Sequence, residues 1–415
     1  MPRYIQKRRQ RWYAVLDIPS DVRATFDGKP RFVESLKTKN EAKAVLLAGP
    51  KIALWKLQIA KAKGPTGDLE EATFWRRQVD AWEQEDATPL SDAVVTRAEE
   101  IEKEKGYPAA KLFADIALGQ ATLIEPLAEE WLAESKYGVR ATYDHRLRLS
   151  VLYKQHKVIE GINRKAAGKF VTQVLAKDGK SLHTVRRYVT TFSSLWRWLE
   201  RRGHVQDNPW TNQGLIRAKD ADQQEEVRRP FTEDEASRWL WSLDGAARDV
   251  SMVMAVTGMR FSEVVGLVQG NVRLNDKVAW LTVQKGKTKA AKRRVPVIAH
   301  KVVAMLKTRL AEAQGAPDGA LFPELPTDKL GARGKALRRD MVRRLRALGM
   351  KDTSLTANHS WRHRARTLME QADVSPWVAD FVIGHARPGQ GLGRYSQGPS
   401  DAQLIAAVRA VPLPR

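Results

Sequence analysis

Hydrophobic and polar positions alternate with a period of two near the N-terminus, in "YIQK", "RWYAVLDIP" and "RFVESLKT" between residues 4 and 38. The runs are separated by "SDVRATFDGKP", which carries Asp27-Gly28 and Pro30, so three short strands of a small sheet are predicted. From Asn40, a residue suited to cap a helix, the apolar spacing becomes helical as far as Gly64. Gly49-Pro50 is expected to kink or divide that helix, because proline removes a backbone donor. Residues 66–118 keep a helical pattern with mixed charge and read as a connector.

A second helical block spans about 121–210. In it Leu182, Val185, Val189, Phe192, Leu195, Trp196 and Leu199 form one apolar stripe, while Arg186, Arg187, Arg197, Arg201 and Arg202 lie largely off it. Such a basic face suits phosphate contacts, and a merely solvated charged face is the competing reading. Asn208-Pro209 is expected to end this helix, and a polar run up to Pro230 reads as a linker. Beyond Phe231 the pattern is helix-rich with one hairpin, "VAWLTV" and "RVPVIA" flanking the cationic turn "QKGKTKAAKR".

Composition narrows the partners. Lys plus Arg number 71 against 48 Asp plus Glu, a formal charge of +23, which favours a polyanion. No signal peptide, spanning stretch or lipidation motif is found, so a soluble, cytoplasmic, nucleoid-associated protein is expected rather than a membrane-bound one. The chain has no Cys, which excludes disulfides, thiolate-zinc sites and cysteine nucleophiles. "GKS" at 179–181 and "GKT" at 286–288 lack the glycine five residues upstream that a phosphate-binding loop requires, so ATP is not expected. "HSWRH" lacks the glutamate of H-E-x-x-H, and no metal or other cofactor is expected.

Four places in the last block can do chemistry. In "VTGMRFSEVVGL", Arg260 follows a helix break, where it can aim its donors at a phosphate or pair with Glu263. The turn carries Lys285, Lys287 and Lys289 at alternate positions, then Lys292, Arg293 and Arg294, and its tip should face an anion. In "HSWRH", His359 and Arg362 share one helix face beside the apolar stripe of Trp361, Ala365, Leu368 and Met369. In "VIGHARPGQGLGRYSQG", His385 follows the end of an apolar run, and Tyr395 lies in a glycine-rich loop where its phenol can act as a nucleophile.

In this order, Arg in "TGMRFSE", Lys before "RRVP", His-x-x-Arg, Gly-His and Tyr resemble the catalytic domain of the tyrosine recombinases, the phage integrase family. The resemblance covers about 230–400 and implies six catalytic residues: Arg260, Lys287, His359, Arg362, His385 and Tyr395. It implies that Tyr395 forms a 3′-phosphotyrosyl link to DNA while Lys287 protonates the leaving 5′ oxygen, without ATP. The implied organisation is an arm-binding-like β/α module at 1–64, a helical connector at 65–118, a helical core-binding domain at 119–218, a linker at 219–230 and a catalytic α+β domain at 231–415. The fold class is mainly α with small β elements. Expected partners are double-stranded DNA at recombination sites, three further copies in a homotetramer, and a directionality factor or DNA-bending protein. Arg8, Arg9, Arg11, Arg186, Arg187, Lys285 and Lys289 are expected to contact DNA. "DAQLIAAVRA" near the C-terminus is a candidate for docking on a neighbouring copy. Alternatives are a type IB topoisomerase-like strand transferase and a catalytically silent architectural DNA-binding protein.

Overall fold

The computed structural model describes residues 4–63, 67–81, 88–213, 228–275, 277–284, 292–316, 318–385 and 398–415. The chain divides into two compact units, Met1–Ile216 and Arg217–Arg415.

The first unit opens with an antiparallel sheet in the order β1 (Ile5–Arg8), β2 (Arg11–Asp17), β3 (Arg31–Ser35). Arg8 faces Arg11 across a turn in which Arg9 takes a left-handed φ of 54°. A 3₁₀ turn, Ser20–Phe26, joins β2 to β3 and ends on Asp27 and Gly28, both at positive φ. Helix α1 (Glu41–Lys63) begins where Asn40 Oδ1 accepts the Lys43 N–H at 3.0 Å. Of the two outcomes expected at Gly49-Pro50, division does not occur: the helix runs through Pro50. Ala44, Ala48 and Ile52 pack on Trp12, Ala14 and Leu36, and Ala53 and Leu57 pack on the following helices. Tertiary burial on both sides of the proline outweighs one missing hydrogen bond.

The stretch read as a connector builds a core of its own. Helices α2 (Asp68–Asp80), α3 (Thr88–Lys105) and α4 (Tyr107–Ala117) close around Trp75, Ile101 and Phe113. Buried Glu71 ties three helices by accepting from Lys61 and Arg97 at 2.9 and 2.8 Å.

The second helical core uses α5 (Ile124–Glu134), α6 (Val139–Gln155), α7 (Arg164–Phe170), which runs into a single π turn, and α8 (Leu182–Arg201). Phe192 and Trp210 meet at 4.8 Å in its centre. Helix α8 ends at Arg201 and not at Asn208-Pro209. Gly203 takes φ +75°, its N–H reaches Glu200 O at 3.1 Å, and the His204 N–H reaches Leu199 O at 3.0 Å. That pair of bonds satisfies the last carbonyls and stops the helix early.

In the second unit, α9 (Glu233–Trp241) starts from a reciprocal Thr232–Glu235 capping box. Helix α10 (Gly245–Thr257) is buried along most of its length and forms the centre of the unit. It is followed by α11 (Phe261–Val264) and an antiparallel sheet, β4 (Val272–Leu274), β5 (Ala279–Val283) and β6 (Arg293–Val297), in that order. Then come α12 (His300–Ala313), α13 (Lys335–Ala347), α14 (His359–Gln371), α15 (Pro376–Ile383) and α16 (Asp401–Arg409). Helix α16, the segment expected to dock on a neighbour, buries Leu404, Ala407 and Val408 in the core of its own unit.

Candidate active site

The site is assembled where α10, α14 and α15 meet, and two helix-ending glycines permit the meeting. Gly258 caps α10 at φ +63°, and a Cβ there would lie 2.9 Å from Ala365 Cβ and 3.0 Å from Ile383 Cγ2. Gly384 caps α15 at φ +70°, where its N–H and that of His385 both reach Asp380 O at 2.9 Å. Only residues lacking a side chain fit these left-handed, crowded positions.

Arg260 stands immediately before α11. Its backbone N–H and Nη1 donate to Glu263 at 3.0 and 2.8 Å, and its Nη2 donates to Gly384 O at 3.1 Å. The pairing with Glu263 and the position at the site are therefore both realised. Glu263 is in turn held by Arg293, whose guanidinium is fully buried and donates to it at 2.9 and 3.3 Å and to Val382 O at 2.8 Å. This corrects one sequence expectation: Arg293 is not part of a cationic tip facing an anion but lies beneath the site. Burial opposes the charge of Glu263, yet the two arginines outweigh it and hold its carboxyl below its ordinary range.

Arg362 lies one turn into α14 and is only 7% exposed. Its Nη1 donates to Gly258 O at 3.1 Å and to Ile383 O. Its Nη2 is buried and has no partner among the described residues. Burial, followed by the neighbouring Arg260 and Arg293, pushes its pKa down to about 9 against the pull of Glu263 and Asp380. It stays charged at neutral pH. A buried, charged donor with no acceptor is costly unless an anion completes it.

His359 is the first residue of α14 and half-buried. Burial, then Arg228, Arg338, Arg362 and His363, lowers its pKa to about 4, so its ring is neutral at pH 7. His385 is lowered by burial and by Arg362 and Arg260, while Asp380, 3.4 Å from its Nδ1, opposes them. Asp380 also accepts Arg366 Nη1 at 2.5 Å, which leaves it only partly available to the ring.

The structure thus gathers Arg260, His359, Arg362 and His385 in one place. Lys285, Lys287, Lys289 and Tyr395 lie outside the described residues. Arg8, Arg9 and Arg11 are exposed around the β1–β2 turn. Arg186 and Arg187 are exposed on α8, Arg187 lying 3.7 Å from Asp144. Sequence reasoning missed the buried Arg293 and Asp380, and also α13, where Arg338, Arg339 and Arg343 are exposed. The run "KALRRDMVRRLRA" was the available signal for that cationic helix. Among the described residues, no cluster of His, Asp or Glu has the makings of a metal site, and no helix is long and apolar enough to cross a membrane.

Residues 230–397 match the profile of the phage integrase family, and residues 4–64 match that of a domain of unknown function, DUF6538. No curated protein sequence matches the chain. Among solved structures, the Tn1549 transposon integrase in complex with a circular intermediate DNA is similar with a TM-score of 0.50 at 17% identity, over 69% of this chain and 98% of that one. A lambda integrase dimer bound to a COC′ core site is similar at 13% identity, over 97% of this chain and 98% of that one, with a TM-score of 0.47. The XerH site-specific recombinase bound to a palindromic difH substrate has a TM-score of 0.47 at 15% identity, over 77% of this chain and 91% of that one.

Proposed function

We propose, from the match of residues 230–397 to the phage integrase family, that the chain is a tyrosine site-specific recombinase that cuts and rejoins DNA through a 3′-phosphotyrosyl intermediate. The observation that carries the proposal is the buried Nη2 of Arg362, without a partner among the described residues and set beside Arg260 and two histidines. A scissile phosphate supplies the acceptor that Nη2 lacks. As Tyr395 Oη bonds to phosphorus, negative charge accumulates on the nonbridging oxygens, and Arg260 and Arg362 stabilise it. His359 and His385, both held toward the neutral form, accept hydrogen bonds or the phenolic proton. The bond from phosphorus to the 5′ oxygen breaks, and Lys287 supplies the proton for the departing hydroxyl. A 5′ hydroxyl from another strand reverses the step, because the phosphoester is conserved in the link to Tyr395.

Arg338, Arg339 and Arg343 on α13 contribute phosphate contacts in the second unit, and Arg186 and Arg187 on α8 contribute phosphate contacts in the first. Arg8, Arg9 and Arg11 extend that contact to flanking DNA, and the assembly that exchanges strands is a multimer on DNA. Such work places the protein with the cell's DNA in the cytoplasm. The experiment is a strand-transfer assay in chelator, using two duplexes of different length that carry the same site. Products joining the two molecules support the recombinase. Relaxation of supercoiled DNA without joined products would assign the chemistry to a topoisomerase-like enzyme instead.

A further inference from the structure

Three of the large apolar side chains exposed on the first unit lie on one helix. Val139, Tyr143 and Leu147 of α6 are 68%, 49% and 55% exposed, while Leu149 and Leu152 of the same helix are fully buried. Steps of four residues advance by about 40° around a helix, so the three form a stripe about 12 Å long, roughly opposite the buried pair. A contiguous apolar stripe on an otherwise polar surface marks a contact.

Its margins are cationic. Arg140 and Lys154 are exposed on α6 and Arg186 on the adjacent α8. The single acidic residue of α6, Asp144, lies at the edge between Arg148 and Arg187, at 3.8 and 3.7 Å. Helix α6 is also fixed to α8: Arg148 Nη1 donates to Thr191 Oγ1 at 3.1 Å, and His145 Nδ1 lies 3.1 Å from the same oxygen. The rings of Trp131, Tyr137 and His145 of α6 pack edge to face or tilted on one another. The stripe is therefore presented on a rigid support.

A second copy of the chain would bring the same cations against themselves. A DNA major groove instead offers an apolar and hydrogen-bonding floor between two rows of phosphates, and its width of about 12 Å admits a helix. We propose that the outward face of α6 reads thymine by its C5-methyl groups, with Val139, Tyr143 and Leu147 against the methyls and Arg140 and Arg186 on the bordering phosphates. At about 3.4 Å per base pair the stripe spans three to four pairs. This rests on the reading of the chain as a DNA recombinase, and it assigns part of the site preference to three named side chains.

The test starts from duplexes enriched by the full chain from a random-sequence library. Each thymine of an enriched duplex is then replaced in turn by deoxyuridine, which removes only the methyl. Two or three replacements within one window of about four base pairs should weaken binding by roughly fourfold each. In Leu147→Ala or Tyr143→Ser protein, whose exposed positions leave folding intact, one of these replacements should lose its effect while the others keep theirs. Equal losses in wild-type and variant proteins, or no loss at any thymine, would overturn the proposal. Variants that keep the thymine preference but no longer assemble as multimers on DNA would also overturn it, by assigning the stripe to a protein contact. Failure of the wild-type chain to enrich any sequence would count against the recombinase reading itself, a separable result.

Discussion

The guanidinium of Arg293 fills the space beneath Gly384: a Cβ at residue 384 would lie 2.6 Å from Nη1 and 2.7 Å from Cζ of the arginine. Through Arg293 this close approach sets Glu263, and through Glu263 it sets Arg260. The site therefore rests on a glycine that touches no reacting atom. Gly384→Ala should cost at least about 1–2 kcal/mol for its left-handed φ alone, with the collision adding more. Thermal unfolding should show the midpoint falling by roughly 2–4 °C for each kcal/mol lost, together with slower DNA cleavage. A variant with unchanged midpoint and rate would show that the contact is easily relieved.

Arg362→Lys separates charge from shape. Lysine keeps the positive charge but has no planar fork to donate to Gly258 O and Ile383 O while facing a phosphate. The cleavage rate should fall by about 10²–10³, the usual cost of removing one preorganised transition-state donor. DNA affinity, which sums many phosphate contacts, should change little. Single-turnover cleavage and a binding titration at one salt concentration measure the two effects.

The depressed His359 makes acid stability a report on the site. Its pKa is about 4 in the folded chain against an ordinary 6.5, so the unfolded chain takes up the proton first as pH falls. Its contribution is full above pH 6.5 and is lost as pH drops through about 4. Allowing for solvent screening of a half-exposed ring, the loss is about 1–2 kcal/mol. Denaturant unfolding between pH 7.5 and 4.5 should show a shallower decline for His359→Gln than for the wild type, and an identical decline would exclude this histidine as its source.

How far these features were legible varies with their physical origin. The three N-terminal strands and the stripe of Trp361, Ala365 and Met369 follow from local periodicity, which one face of an element imposes whatever surrounds it. Arg293 was not legible. Inside "KAAKRRVP" it resembles its solvated neighbours, and only its bonds to Val382 O and Glu263, both distant in sequence, distinguish it. That α1 continues through Pro50 was not legible for a related reason, since packing on both of its sides holds the helix together. Gly203 is the local signal that ends α8, ahead of Asn208-Pro209.

The hairpin lysine can be identified chemically. Lys287→Ala should cut ordinary DNA very slowly but recover substantially on a substrate with sulfur at the 5′-bridging position, because a thiolate leaves without being protonated. Lys285→Ala and Lys289→Ala should show no such selective recovery. Recovery confined to one of those variants would move the acid to that position.

The central claim is that Tyr395 becomes covalently joined to DNA. The full chain is incubated in chelator with a nicked suicide duplex whose cut fragment diffuses away, then denatured and digested, and the peptide carrying the nucleotide is sequenced by mass spectrometry. The account predicts a phosphonucleotide on Tyr395, linked to a 3′ end, and a Tyr395→Phe protein that binds the same duplex but yields no adduct. A nucleotide on any other residue, or an adduct that persists in Tyr395→Phe, would contradict it.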